Sequence, residues 1–238
     1  MTLLEMMTHF FELYGRRNRI FLPGLLERIL FLSLAINDLQ EALRKDVERS
    51  LLKMAMARIV SRIFCIAEHF HNLPLINALA MKYPFGRCAY CMQFPCACRE
   101  SRPDATLVVI VEEMQMTWSL RNWCHHLNAV YGAKNENTPN ARENLLNRLS
   151  REVSELLSIL MDLPNNTETI DEIEFEFALE LADTLAWTIA IANLLGVDLE
   201  KAVIERFVRT NCWNCHQKPC ICKHFNVKLV KWSHVFLP

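Results

Sequence analysis

Glycine is scarce in this sequence: it contributes 5 of 238 residues, against roughly 7% in an average protein. Because glycine supplies the unusual backbone conformations that tight turns need, its scarcity argues against a loop-rich architecture. Hydrophobic residues make up 52% of the chain, which is too apolar a composition for an intrinsically disordered protein. Together these two observations predict an ordered and largely helical protein.

Membrane and export signals are missing as well. No uninterrupted apolar run reaches the ~18 residues that a membrane-spanning helix requires. The opening residues MTLLEMMTHFFELYG contain an early acid and no basic leader, so they do not resemble a signal peptide. We therefore expect a cytoplasmic protein that has no membrane partner.

The chain also lacks a large net charge: its formal net charge is −1 at neutral pH. This balance argues against a general nucleic-acid coat. Basic residues nevertheless outnumber acids from residue 201 to residue 238, and a basic end suits phosphate groups. Nucleic-acid binding by this end is disfavoured, because no helical segment interleaves basic and aromatic side chains on one face.

Cysteine, in contrast, is abundant and patterned. Two segments, CAYCMQFPCAC and CWNCHQKPCIC, share the spacing C-x2-C-x4-C-x-C. Reduced cytoplasmic cysteines in such clusters bind metal more often than they form disulfides, and four thiolates suit a closed, structural zinc site. An iron–sulfur cluster is the next alternative and disulfides are the last. The candidate zinc ligands are Cys88, Cys91, Cys96, Cys98, Cys212, Cys215, Cys220 and Cys222.

The duplicated cysteine pattern belongs to a longer internal repeat. Tyr14-Gly15 matches Tyr131-Gly132, and the L-L-x-R at 25–28 matches that at 145–148. The repeat predicts two all-α units at 1–98 and 106–222, a polar linker at 99–105 and a basic tail at 223–238. The predicted helices lie near 2–14, 23–44, 48–72, 74–82, 107–131, 143–162, 171–195 and 198–208. The β-branched segment TLVVIVEE favours a strand by propensity, but the repeat favours a helix.

Two pairs of acids stand out in the second unit. Glu152 and Glu155 form E-x-x-E, and Glu180 and Asp183 form E-x-x-D, so each pair shares one helical face. Glu152 falls within an apolar stripe, and the helix that carries Glu180 is otherwise almost free of charge. Buried carboxylates need a cation or a basic partner. Mg²⁺ or Mn²⁺ satisfies that need, and salt bridges to Arg148 or Arg151 are the structural alternative.

These motifs, with the G-V-D-L-E-K-A-V segment that follows, resemble the MazG-type all-α nucleoside triphosphate pyrophosphohydrolases over about 131–222. The resemblance implies an Mg²⁺-dependent enzyme that splits a nucleoside triphosphate, ribo or deoxy, into the monophosphate and pyrophosphate. Many members carry a second Glu directly before the first ligand, where this chain has Arg151. Glu176, one turn before Glu180, is a possible substitute as general base. The implied metal ligands are Glu152, Glu155, Glu180 and Asp183.

The repeat carries those four positions back to Leu32, Ala35, Met56 and Ile59, which are all apolar or small. The first unit is therefore predicted to be a degenerate copy. Members of the resembled family usually dimerise, so a fused tandem implies a four-helix-bundle-like core formed as an intramolecular pseudo-dimer. Further pairing into a homodimer stays possible.

Basic residues after the second acid helix are candidates to bind the phosphates of the substrate, namely Lys201, Arg206 and Arg209. Trp118, Trp123 and Trp187 could stack on a base, although aromatic residues at helical spacing more often belong to a core. The alternative function is a zinc-stabilised pseudoenzyme that senses nucleotides or binds a partner. The loss of acids in one unit and the presence of Arg151 in the other motivate this alternative.

Overall fold

The structure is a computed structural model that describes residues 1–45, 47–70, 75–98, 112–162 and 170–222. Within these residues the chain is all-α, as predicted, with eight α-helices, one short 3₁₀ helix (Glu113–Thr117) and no strand. The predicted linker and basic tail, and most of the TLVVIVEE segment, lie outside the described residues. The α-helices are α1 Leu3–Phe21, α2 Leu25–Arg44, α3 Arg49–His69, α4 Leu75–Lys82, α5 Leu120–Glu136, α6 Ala141–Asp162, α7 Ile170–Leu194 and α8 Leu199–Phe207.

Two helices run further than the sequence predicted, and both continue through a glycine. α1 passes Gly15, where an added Cβ would approach the Glu68 carboxylate to 3.2 Å. α5 passes Gly132 and ends at Glu136, so the segment after Gly132 begins as helix and not as the predicted loop. At position 15 the small residue allows close packing, and it does not mark a helix end. α5 begins only at Leu120, where Ser119 and Asn122 form a capping box.

Two helical hairpins form the centre of the molecule. α2 packs against α3, α6 packs against α7, and the pairs meet through α2–α6 and α3–α7 contacts. Apolar side chains such as Leu32, Leu149 and Leu181 are fully buried between them. By length and composition the segment Glu172–Leu194 of α7 could also cross a membrane, but 67% of its most apolar window is buried inside the protein. The core position of α7 explains its composition without a bilayer.

The last helix of each unit crosses to the other unit. α4 packs against α7, and α8 packs against α3. The cysteine segments cross in the same way, since the Cys96 amide donates to the Val130 carbonyl at 2.8 Å and the Cys220 amide donates to the Leu13 carbonyl at 2.8 Å. Residues at the end of the first unit are thereby placed beside the acids of the second.

Candidate active site

Three of the four predicted acids converge in the interior. Carboxylate oxygens of Glu152, Glu180 and Asp183 all lie within 4.8 Å of one another. Glu152 and Asp183 are only 6% and 7% exposed. The convergence follows from the sequence, because each pair occupies one face of its helix and α6 packs directly against α7. A group of this kind could hold a metal ion.

Glu155 stands at the solvent side of the cluster. Its side chain is 35% exposed, and Arg151 donates from Nε to its Oε1 at 2.8 Å. Burial alone would raise the pKa of the Glu155 carboxyl, but hydrogen bonds with Glu152 and Arg151 lower the pKa overall. Glu155 is therefore ionised at neutral pH, next to Glu152 and Glu180, whose pKa values burial raises.

Glu152 is the most perturbed member of the cluster. Burial, followed by the charge of Asp183 and a hydrogen bond with Glu155, raises the pKa of Glu152 to about 8. The indole nitrogen of Trp187 donates to its Oε1 at 2.9 Å, whereas Oε2 is buried and has no hydrogen-bond partner among the described residues. A buried carboxylate oxygen without a partner is costly. A divalent cation with a preference for oxygen ligands would satisfy that oxygen, so the residues fit Mg²⁺ or Mn²⁺.

The raised pKa of Glu152 predicts that Mg²⁺ binding depends on pH. Because the metal binds the ionised form, its apparent affinity is expected to fall about tenfold for each pH unit below 8 and to level off above it. Titration calorimetry in two buffers of different ionisation enthalpy should detect the release of about one proton per metal below that pH. Glu152→Gln removes the titrating group, so a pH slope that persists in this variant would contradict the assignment.

Two residues of the first unit complete the cluster, and neither is among the site residues predicted from the sequence. Lys82 Nζ lies 2.7 Å from Asp183 Oδ2 and 3.3 Å from Glu180 Oε1. The Tyr83 hydroxyl donates to Asp183 Oδ1 at 2.7 Å. Burial alone would lower the pKa of Lys82, but the charges of Asp183 and Glu180 raise it overall. Of the predicted salt-bridge partners, Arg151 pairs with Glu155, whereas Arg148 lies over the Trp187 ring.

A signal for Lys82 was present in the repeat. Its counterpart at the end of the second unit is Arg206, one of the predicted phosphate-binding residues. Lys82 and Arg206 thus occupy equivalent positions at the ends of the two units, and each lines a cavity. The crossing of α4 onto α7, which gives that position its partner, was not predicted.

A cavity of about 120 Å³ opens beside the carboxylates. We call it the acid cavity. Its polar lining includes Lys82, Lys134, Arg148 and Asp183, and its aromatic lining includes Tyr131 and Trp187. Arg148 lies over the Trp187 ring, with its guanidinium carbon 5.1 Å from the ring centroid. Cationic and aromatic groups therefore stand next to the acids.

Of the three tryptophans considered for base stacking, only Trp187 lines the acid cavity. Trp123 is fully buried, and Trp118 packs against it with ring centroids 4.9 Å apart. Trp118 and Trp123 are thus part of the apolar packing, as expected for aromatic residues at helical spacing.

The predicted phosphate-binding residues lie elsewhere. Lys201 is exposed and pairs with Glu205 at 3.9 Å. Arg206 and Arg209 both stack on the Trp213 ring at 4.8 Å, beside the second cysteine segment. Glu176 is exposed on α7 and does not belong to the group of converging acids. The structure does not bring Lys201, Arg206 or Arg209 to the acid cavity, and Lys134 and Arg148 are basic residues that line it instead.

The positions of the first unit that correspond to the acids lie in the apolar core. Leu32, Met56 and Ile59 are fully buried, and Ala35 is nearly so. Among the described residues, no second group of converging carboxylates accompanies them.

Each cysteine segment gathers its four sulfur atoms within 4.8 Å of one another. We call these segments the first knuckle (88–98) and the second knuckle (212–222). Sulfur atoms lie 3.7 Å apart in Cys88–Cys98 and 3.8 Å apart in Cys212–Cys222. Tetrahedral zinc with Zn–S bonds of about 2.3 Å requires sulfur separations of about 3.8 Å, whereas a disulfide requires about 2.05 Å. The geometry therefore fits a four-cysteine metal site and not disulfides.

The two knuckles also share their backbone geometry. The Cys88 amide donates to the Gln93 carbonyl at 3.0 Å, and the Cys212 amide donates to the Gln217 carbonyl at 3.0 Å. Met92 and His216 both have a positive φ, at 58° and 55°. Each thiol set is thus presented by the same tight loop, and both groups could hold an ion such as zinc.

Comparison with protein-family models, with curated proteins and with solved structures found no match.

Proposed function

We propose that the protein is an Mg²⁺-dependent nucleoside triphosphate pyrophosphohydrolase whose acids lie on α6 and α7. The observation that carries the proposal is the convergence of Glu152, Glu180 and Asp183, with one buried carboxylate oxygen that has no partner. Cationic and aromatic side chains line the adjoining cavity, which suits a ligand that has both phosphates and a base. The motif resemblance to the MazG-type enzymes agrees with this chemistry.

Each part of the cavity has a role in this proposal. Lys134 and Arg148 hold phosphate oxygens, and Trp187 and Tyr131 provide aromatic faces for the base. A metal bound by the acids would supply charge neutralisation and a more acidic water. Glu155, which is ionised and partly exposed, accepts the proton from the attacking water, and Glu176 is the second candidate for this role.

The bond changes define the product. The water oxygen bonds to the α-phosphorus, and the bond from that phosphorus to the oxygen bridging to the β-phosphorus breaks. Pyrophosphate leaves with the bridging oxygen, and the nucleoside monophosphate remains. Lys82, which contacts both Glu180 and Asp183, is placed to move from the acids to the leaving group when metal binds.

The proposal also covers the relation between the two units and the metal in each knuckle. The two units act as an intramolecular counterpart of a dimer, in which the degenerate first unit supplies Lys82 and Tyr83 to the site of the second. Each knuckle holds one structural zinc, which fastens the end of its unit to the first helix of the other unit.

The proposal is tested by incubating the protein with a panel of ribo- and deoxynucleoside triphosphates, with and without Mg²⁺. Equal amounts of monophosphate and pyrophosphate are expected, and only with the metal. Release of single phosphates in place of pyrophosphate would exclude the proposed bond cleavage. Nucleotide binding without any turnover would favour the pseudoenzyme.

The contact of Lys82 with two of the acids is the observation that favours a pseudoenzyme. In that case Lys82 replaces the metal permanently. The variant Lys82→Met distinguishes the hydrolase from the pseudoenzyme, because it removes the ammonium group and keeps the approximate shape of the side chain. In the hydrolase, the apparent Mg²⁺ affinity is expected to rise about tenfold or more as a competing cation is lost.

In the pseudoenzyme, Lys82→Met would leave buried carboxylates uncompensated, so the protein would lose thermal stability and still not bind Mg²⁺. Calorimetric titration with Mg²⁺ and thermal unfolding, measured on the same samples, distinguish these results. Lys45→Met is the matched control, since Lys45 pairs with Glu41 at the protein surface.

A further inference from the structure

A second cavity, of about 250 Å³, lies beside the second knuckle. We call it the arginine cavity. It is lined by α1, α3, the end of α8 and the second knuckle. The acid cavity is lined by the corresponding α5, α7, end of α4 and first knuckle, and in addition by α6. Lining residues correspond through the repeat: Tyr14, Arg17 and Arg206 match Tyr131, Lys134 and Lys82. The arginine cavity is thus the repeat-related copy of the acid cavity.

This copy differs in charge, because no acid is among the described residues that line it. The acid positions have become buried apolar residues, and four arginines line the cavity in their neighbourhood: Arg17, Arg58, Arg62 and Arg206. One of them, Arg62, stands where the acid cavity has Ala186, so this wall carries a positive charge that the acid cavity lacks at the same position. Burial, with the nearby charges of Arg17 and Arg58, lowers the pKa of Arg62 to about 10. The like charges are therefore close enough to repel one another.

Neighbouring acidic groups compensate part of this charge. Asp38 pairs with Arg58 at 2.6 Å, and Arg17 Nη1 approaches the Cys220 sulfur at 4.0 Å. A zinc-loaded knuckle carries a charge of about −2. Four guanidinium groups nevertheless line this one cavity. Arginine binds phosphate oxygens through paired hydrogen bonds, so an anion with several such oxygens would relieve the remaining repulsion.

We propose that the arginine cavity is a second ligand site that binds a polyphosphate group, as in a nucleoside triphosphate, without a metal ion. Arginines supply the positive charge here that Mg²⁺ would supply at the carboxylates. Tyr14 and Trp213 line the same cavity and hold arginines in place, since Arg17 lies over the Tyr14 ring and Arg206 over the Trp213 ring, each at 4.8 Å. We expect no hydrolysis at this site, because none of the described residues that line it is an acid that could bind a metal or activate water. The proposal does not depend on activity at the acid cavity.

The test is equilibrium binding of inorganic triphosphate and of a nucleoside triphosphate, in buffer without Mg²⁺. No chelator is added, so that the knuckles retain their metal. We expect binding of about one ligand per chain, and weaker binding when Mg²⁺ is added, because the metal competes for the phosphate oxygens. Tighter binding of the nucleotide than of inorganic triphosphate would identify the base as part of the recognised ligand, whereas equal binding would restrict recognition to the phosphates.

Two variants locate the site. Arg62→Gln and Arg206→Gln are each expected to weaken binding about tenfold or more, since each removes a charge-assisted contact. Arg44→Gln is the matched control, because Arg44 pairs with Glu41 on the surface and does not line either cavity. Thermal unfolding and metal content of all variants check that the fold is kept, and Arg206→Gln decides the result if Arg62→Gln is unstable.

Three results would overturn the proposal. They are no metal-free binding by the native protein, binding that neither arginine variant weakens, and binding that is lost in Arg148→Gln but kept in Arg62→Gln. The last result would assign the anion to the acid cavity. Since no turnover is measured, a protein that fails to hydrolyse nucleotides can still pass this test.

Discussion

Asp183→Asn is expected to lower Mg²⁺-dependent pyrophosphate release by about 10³-fold or more. Asp183 is the most connected acid of the cluster, since it contacts Lys82 and Tyr83 and lies among the converging carboxylates. The amide keeps the shape of the side chain but removes the charge that would bind the metal. A loss of that size corresponds to about 4 kcal/mol of transition-state stabilisation, which is within the several kcal/mol that a metal contributes to such reactions.

The measurement is the initial rate of pyrophosphate release at saturating Mg²⁺, with the native protein and the variant at equal concentration. Glu174→Gln is the control, because it makes the same kind of change on α7 outside the group of converging acids. Circular dichroism and thermal unfolding establish that both variants are folded. If Asp183→Asn retained activity within about threefold of the native protein, the acid cavity would not be the site of hydrolysis.

Replacement of one cysteine in a knuckle should reduce the zinc content from two ions per chain to one. Cys212→Ser is the variant of choice, since the second knuckle is fastened to α1 through the Cys220–Leu13 hydrogen bond. Structural zinc contributes about 10–16 kcal/mol of apparent binding free energy in zinc-finger peptides. Even a part of that loss should lower Tm by about 10 °C or more in a protein of this size.

Zinc per chain is measured by elemental analysis, and Tm by calorimetry. Cys124→Ser provides the control, because Cys124 is a buried cysteine outside both knuckles and its replacement should leave two zinc ions bound. If iron and acid-labile sulfide were found in the native protein instead of zinc, the knuckles would hold iron–sulfur clusters. Zinc content that does not change in Cys212→Ser would contradict the assignment of the second knuckle.

The helical periodicity and the repeat identified the all-α class and most helix positions, because both depend on local side-chain patterning. The same patterning placed Glu152 and Asp183 in the interior, and they are buried. Helix ends were less well predicted. Gly15 and Gly132 indicate a break by propensity, yet both lie inside helices.

The residues around the acids could not be predicted from sequence in the same way. Lys82 is distant from Asp183 along the chain, and only the packing of α4 on α7 brings them to 2.7 Å. For the same reason Arg206 was assigned to the acids, although α8 packs on α3 and directs it to the arginine cavity. Both placements follow from the crossing of the last helices, which leaves no signal in the periodicity of a single helix.

What the amino-acid sequence determined by itself was therefore the identity of the helices, the two cysteine knuckles and the acids that must be buried. These features depend on residue type and on spacing along one helix or loop. The tertiary structure alone decided which cation faces the acids and that a second, arginine-lined cavity exists. Those features depend on contacts between the two units. The last helix of each unit packs across the molecule because packing there is favourable, and the residues it meets cannot be read from the pattern of one helix or loop.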